Sequence, residues 1–333
     1  MTERIKGYDL IRTFSIIVVF FAHIILGQSK NPYSTIIFKS LSPGITMSLL
    51  AFISACLLVN NKSLENDFSS FLLKRLIRIY VPVILVLTFA VLFNKYQGIN
   101  IQKDHLIYNY LGLGLFFDWF KVSNKSSVGW GLWFITAILI MYVLLPVLKR
   151  IFNHKNGLIH YGVIYLLCIL INYITVPSSS SFWNVAISFS LGVYLFTNNL
   201  LDRLINMKFK IAFPLSLILL MICALSFSGF LYYDIPKYLY PMYPIAFTPL
   251  FFRLANHLPE LVERGVKRFS EISFEFYMVH FYFINGAFSR LFGNRSLLFQ
   301  IVIGLLISLF LAFIIAKIGN KVRKLIETYF LNT

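Results

Sequence analysis

The stretch "YDLIRTFSIIVVFFAH", residues 8–23, decides how the rest of the chain is read. Most of it suits hydrocarbon, yet Arg12 and His23 are set into it with ten residues between them. Ionisable side chains inside a membrane span are costly, and they are kept where they face a cavity or a partner. At about 100° per residue, the eleven steps from Arg12 to His23 come close to three full turns, so both project from one helix face. The axial rise between them is about 16 Å, half the thickness of the hydrocarbon layer. The pair therefore marks a polar line through much of a bilayer. Taken singly, Arg12 could snorkel to the headgroups and His23 could hydrogen-bond a neighbouring helix. Neutral imidazole accepts a proton near physiological pH, which makes His23 the candidate general base.

The whole chain shares this apolar character. Of its 333 residues, 58% are hydrophobic and 13% charged, where a soluble globular protein carries about twice that charged fraction. Apolar runs near the roughly 18 residues needed to span a membrane recur throughout. The alternating ten-residue strands of an outer-membrane barrel are missing. The fold class expected is all-α: a polytopic helical membrane protein with about ten spans, near 8–28, 40–60, 78–94, 129–148, 158–175, 182–199, 211–230, 238–256, 272–291 and 297–318. The first span, interrupted by Arg12 and His23 and followed by no small-x-small site, is expected to stay as a helix rather than be cleaved as a signal peptide.

A net charge of +17 would suggest nucleic acid in a soluble domain. Here the lysines and arginines collect in short loops between apolar runs, so orientation explains them and no nucleic-acid partner is expected. Nineteen lie on one side of the ten-span layout and nine on the other, which predicts that both termini are cytoplasmic. The layout reads as one membrane domain, residues 1–333, with no soluble domain before or after it and a basic tail, 317–333, anchored at the membrane surface. The long segment 95–128 is too rich in aromatic residues and leucine for a solvated linker. It is expected to form an interfacial or re-entrant helix leading into "GWGLWF". Cys56, Cys168 and Cys223 all fall in apolar runs and read as core residues, with neither a disulfide framework nor a metal motif.

A second constellation is "LLKRLIRIYVP", with Arg75 and Arg78 three residues apart where the third span is expected to begin. That spacing puts both guanidinium groups on one face, on the same side as Arg12. Their forked geometry suits phosphate oxygens, and anchoring to anionic lipid is the alternative. Asp9 could orient Arg12 through an i,i+3 pair or favour the helix start through the dipole. Trp130 and Trp133, with Asp118 and His105, lie toward the outer face. There they could form a platform for a sugar or an interfacial aromatic belt. His154, His160 and His257 fall in or next to loops and read as solvated.

The motifs together resemble those of the acyltransferase-3 family of membrane O-acyltransferases. "YDLIRTFSIIVVFFAH" resembles its first-helix signature of arginine, ten residues and histidine, and "FISACLLVNN" the end of its second helix. "KRLIRIYVP" is similar to its Arg-x-x-Arg motif, "GLWFITAILIMYVLLPVL" to its Leu-Trp-Phe helix, and "EISFEFYMVH" to its Ser-x-x-x-Tyr-x-x-His helix. They run in the family's order from residue 7 to about 280. The resemblance implies transfer of an acyl group, often acetyl, from acetyl-CoA or another acyl-CoA on the cytoplasmic side to a carbohydrate hydroxyl of a surface polysaccharide or lipid-linked glycan. No metal is implied. His23 would be the catalytic residue, and Arg12, Arg75 and Arg78 would hold the donor's phosphates. The setting implied is the bacterial cytoplasmic membrane, among other proteins of surface-polysaccharide synthesis. Glu275 departs from the family, which more often has a small or apolar residue there. It could pair with an arginine or bear on acceptor choice. His280 matches the family and could be functional or structural. Members with a fused SGNH-type domain are common, so a chain without one would transfer alone or hand acyl groups to a partner. The competing function is export of a polysaccharide precursor, which also needs a polar line but predicts paired broken helices.

Overall fold

The computed structural model describes residues 6–28, 32–41, 44–61, 64, 66–99, 103–120, 132–174, 180–232, 235–285 and 295–331. Among these residues the chain is helical, with no strand. The helices are α1 (Lys6–Gln28), α2 (Pro32–Leu41), α3 (Gly44–Val59), α4 (Phe68–Tyr96), α5 (Lys103–Tyr110), α6 (Gly114–Trp119), α7 (Trp133–Phe152) and α8 (Gly157–Ile174). They are followed by α9 (Ser180–Thr197), α10 (Leu201–Ile205), α11 (Phe209–Phe227), α12 (Ile235–Tyr238), α13 (Met242–Asn256), α14 (Glu260–Asn285) and α15 (Leu297–Leu331). The protein is an all-α polytopic membrane protein. Seven helical stretches among the described residues are long and apolar enough to cross a membrane: α1, α2 with α3, α4, α7, α8, α11 and α15. The remaining three of the ten expected spans also have helices, but α9 and α13 are shorter and the first half of α14 is charged. Large apolar side chains stay exposed along α8 (Leu158, Val163, Leu166, Leu170) and α15 (Val302, Leu306, Phe310, Phe313). Such faces suit contact with lipid rather than water.

The chain divides into two compact units, Met1–Asn61 with Leu144–Glu271, and Lys62–Val143 with Ile272–Thr333. In the first unit α3 packs against α9, and α1 against α13. Small residues let α3 and α9 approach: a Cβ placed on Gly192 would lie 2.7 Å from the Phe52 carbonyl oxygen and 2.8 Å from the Ala55 Cβ. Van der Waals contact and polar bonds drive such pairing, since lipid leaves little hydrophobic force between helices. Here the Asn184 amide donates to the Gly44 carbonyl at 3.1 Å, and the Ser48 hydroxyl bonds the Asn184 carbonyl oxygen. Aromatic edges fix α1 on α13, with Tyr8 against Phe252 and Phe14 against Phe251. All three cysteines are free and buried.

In the second unit α4 packs against α15. Helix α4 is capped by Asp67, whose carboxylate accepts from the Ser70 amide at 3.0 Å. It therefore begins ten residues before the apolar run that predicted a span from 78. At 29 residues it is about 43 Å long, more than the hydrocarbon layer requires. Arg75 and Arg78 consequently sit inside the helix rather than at its start. The segment after α4 forms the two short helices α5 and α6 rather than one. Gly112 turns the chain between them at φ +68°, a left-handed conformation that glycine adopts without strain. The Tyr80 hydroxyl donates to the Leu111 carbonyl at 2.7 Å, and Thr136 Oγ1 bonds the Gly112 carbonyl, so both α4 and α7 hold this turn. The basic tail continues α15 to Leu331.

Gly192→Ala is expected to cost about 1–3 kcal/mol through overpacking. Gly162→Ala, where a Cβ would meet nothing within 4 Å, should leave stability unchanged or slightly raised. Thermal unfolding of the two variants in detergent separates them, and equal midpoints would contradict the close α3–α9 packing.

Candidate active site

In the first unit, Arg12 and His23 lie on the single continuous helix α1, eleven residues apart, and both are half-buried. Their neighbours Ile11, Ser15, Val19, Phe20, Ala22 and Ile24 are buried. The Arg12 guanidinium is held by a short polar chain. Arg12 Nη1 donates to Ser270 Oγ at 3.1 Å, and the Ser270 hydroxyl donates to Asp9 Oδ1 at 2.6 Å. Arg12 Nη1 and Asp9 Oδ1 are 3.9 Å apart, the i,i+3 spacing expected of them. Asp9 and Ser270 are buried, and a buried carboxylate is tolerable only with such partners.

The same face of the first unit carries two more polar links between α1 and α14. Lys6 Nζ donates to Glu263 Oε2 at 2.7 Å, and Thr13 Oγ1 donates to the Val266 carbonyl at 3.2 Å. Residues 260–271 thus bring a polar surface to α1, which accounts for their being helical although they are too charged to read as a span. Ser270 is a residue that the sequence reading missed. It lies one turn before Ser273 on the same helix, but a lone serine in a charged stretch gives no signal of its own.

In the second unit, Arg75 and Arg78 are one turn apart on α4, Arg75 half-buried and Arg78 exposed. The Arg75 guanidinium lies 5.5 Å from the centre of the Phe71 ring, close enough for a cation–π contact. Glu275 is 4% exposed on α14, and the charges of Arg78 and Arg323 act on it. Neither arginine forms an ion pair with it within 4.0 Å among the described residues.

His280 is wholly buried, its ring parallel to Phe276 and tilted against Tyr277. His280 Nδ1 lies 3.1 Å from the Phe276 carbonyl oxygen. A carbonyl can only accept, so Nδ1 carries the hydrogen in this contact. Ser273, Tyr277 and His280 recur at i, i+4 and i+7 and are all buried on one helix face. Trp133 is half-buried against Phe134, and Phe134 in turn packs on Tyr277. Trp130 and the side chains of His105 and Asp118 lie outside the described residues. His154 and His257 are exposed, and His160 is half-buried with its ring 5.6 Å from that of His154. Among the described residues no group of three or more His, Cys, Asp or Glu side chains is placed to hold a metal ion.

A family model described as an acyltransferase domain, acyltransferase-3, matches residues 5–317. The chain belongs to the acyltransferase-3 family. The match spans nearly the whole chain and both compact units. Membership makes the protein a membrane acyltransferase. No curated protein and no solved structure matches the chain.

Ser270→Ala removes one hydrogen bond from Arg12 and another from a buried carboxylate. It is expected to lower stability by about 1–3 kcal/mol, measured as the midpoint of thermal unfolding in detergent. An unchanged midpoint would show that the Asp9–Ser270–Arg12 chain contributes nothing to holding α1.

Proposed function

We propose that this protein is a membrane O-acyltransferase that moves an acyl group, acetyl in the simplest case, from acetyl-CoA or another acyl-CoA to a carbohydrate hydroxyl. The observation that carries this reading is the placement of Arg12 and His23 on one helix of an acyltransferase-3 chain, one a fixed cation and the other a base. Acceptors of the proposed class are surface polysaccharides, lipid-linked glycans and related carbohydrates. The proposed setting is the bacterial cytoplasmic membrane, both termini inside, alongside other proteins of surface-polysaccharide synthesis.

In this reaction His23 takes the proton from the acceptor hydroxyl as its oxygen attacks the thioester carbonyl. Collapse of the tetrahedral intermediate breaks the carbon–sulfur bond, and the imidazolium returns the proton to the departing CoA thiolate. The new ester and free CoA account for every atom. In a covalent variant, the imidazole nitrogen attacks the thioester carbonyl, the carbon–sulfur bond breaks and CoA leaves with the imidazole proton; the acceptor oxygen then attacks the acyl-histidine, the nitrogen–acyl bond breaks and the hydroxyl proton returns to the imidazole. Arg12, Arg75 and Arg78 are the proposed partners of the donor's phosphates, a role for which guanidinium forks are well shaped. Asp9 and Ser270 support Arg12. Trp133 is a proposed surface for the acceptor sugar, and His280 supports the site from the helix that carries the family's serine and tyrosine.

Purified protein supplied with labelled acetyl-CoA and a glycan acceptor tests the reading. His23→Ala is expected to lower transfer by about 10²–10⁴-fold while leaving CoA affinity within about twofold, since an imidazole remote from the phosphates adds little to binding. Equal transfer by the variant would remove His23 from the chemistry. Arg75→Ala and Arg78→Ala are expected to weaken CoA binding by about tenfold or more each, read by calorimetry. Unchanged affinity in both would remove them from the donor site.

A further inference from the structure

Arg323 lies beyond residue 317, where the family match ends, and within the part of α15 that composition alone assigns to a tail. Its place in the second unit follows from helix register. A Cβ on Gly319 would lie 3.6 Å from Val81 Cγ1 and 3.7 Å from Leu85 Cδ1, so α15 runs against α4 at that level. Arg323 is one turn further along α15, and Arg78 is one turn back from Val81 along α4. The charges of Arg78 and Glu275 both act on Arg323. Arg75 is one turn from Arg78, whose charge acts on it.

Like charges are costly to gather. Among the described residues, neither Arg78 nor Arg323 is joined to Glu275 by an ion pair within 4.0 Å. Glu275 and the exposed Glu327, which also acts on Arg323, leave the three arginines in excess. Their neighbours on α15 behave differently: Lys321 and Lys324 are exposed, as residues that reach for headgroups are, whereas Arg323 is half-buried and tied by Nη2 to Asn320 Oδ1. A guanidinium tied to its own helix, within range of a second arginine's charge and of a buried carboxylate's, is an arrangement for a phosphate group rather than for a mobile lipid surface.

We propose that Arg323 is a further phosphate-binding residue of the donor site, acting with Arg78 on an acyl-CoA phosphate, and that Glu275 is the buried counter-ion that positions the two guanidinium groups. This rests on the acyl-CoA reading given above. It also gives the carboxylate that departs from the family a task that a small or apolar residue at the same position does not perform.

The test is calorimetric titration of coenzyme A into the full-length protein in zwitterionic phosphatidylcholine nanodiscs. Arg323→Gln is expected to weaken binding by about 10–100-fold and to flatten its dependence on salt. Arg323→Lys should restore part of the affinity, and Glu275→Gln should reduce the coupling between Arg78→Gln and Arg323→Gln in a double-mutant cycle. Binding of coenzyme A to Arg323→Gln within twofold of wild type would overturn the proposal and leave the acyltransferase reading intact. Failure of the wild-type protein to bind coenzyme A would instead overturn that reading. Wild-type affinity in Arg323→Gln, together with lost enrichment of phosphatidylglycerol around the variant in mixed phosphatidylcholine–phosphatidylglycerol nanodiscs, would assign the residue to lipid and overturn the proposal. If Arg323→Gln does not fold, Arg323→Lys carries the test: about a tenfold loss supports the proposal and no loss overturns it.

Discussion

The chain of hydrogen bonds from Arg12 through Ser270 to Asp9 is the interaction on which the rest of the first unit depends. A guanidinium and a carboxylate at one end of an apolar helix would be expensive to desolvate separately. Joined through a serine hydroxyl 3.1 Å from one and 2.6 Å from the other, they become tolerable to bury. The consequence reaches further than stability. It fixes the rotation of α1 about its axis, and with it the direction in which His23 projects eleven residues later. The charged first half of α14 exists to meet this face, with Glu263 for Lys6 and the Val266 carbonyl for Thr13.

Packing elsewhere follows the rules of helices in lipid. Gly192 lets α9 close on α3, and Asn184 with Ser48 supplies polar bonds where apolar contact alone would give no preferred register. In the second unit Gly319 faces Val81 and Leu85 of α4, where an added Cβ would meet them at 3.6 and 3.7 Å, ordinary contact distances. Small residues set the distance between helices, and that distance determines which charged residues come within reach of one another. In the second unit the charges of Arg78 and Arg323 both act on Glu275.

Much of this was legible in the sequence. Arg12 and His23 stand out because hydrocarbon penalises them, and helical periodicity predicts their shared face without any knowledge of neighbours. The family motifs named the acyltransferase, and the apolar runs located the helices. The starts of α4 and α14 and the end of α15 were not legible, because an apolar run marks where a helix enters hydrocarbon and not where it begins or ends. Residues 68–77, 260–271 and 319–331 are helical for other reasons: a cap at Asp67, an i,i+4 pair between Glu260 and Arg264, and packing of Gly319 on α4. Ser270 and Arg323 both lie in those extensions. Each acquires its meaning from a partner distant in sequence, Asp9 and Arg78, which local pattern cannot supply.

The central proposal is that an acyl group passes from a donor on one side of the bilayer to an acceptor on the other, along the face of α1 that runs from Arg12 to His23. Proteoliposomes of known protein orientation test it most directly, with labelled acetyl-CoA confined to the side of the termini and a glycan acceptor confined to the opposite side. The account predicts labelled acceptor in this arrangement, and none when donor and acceptor are exchanged. Transfer only when both are on the same side would contradict it.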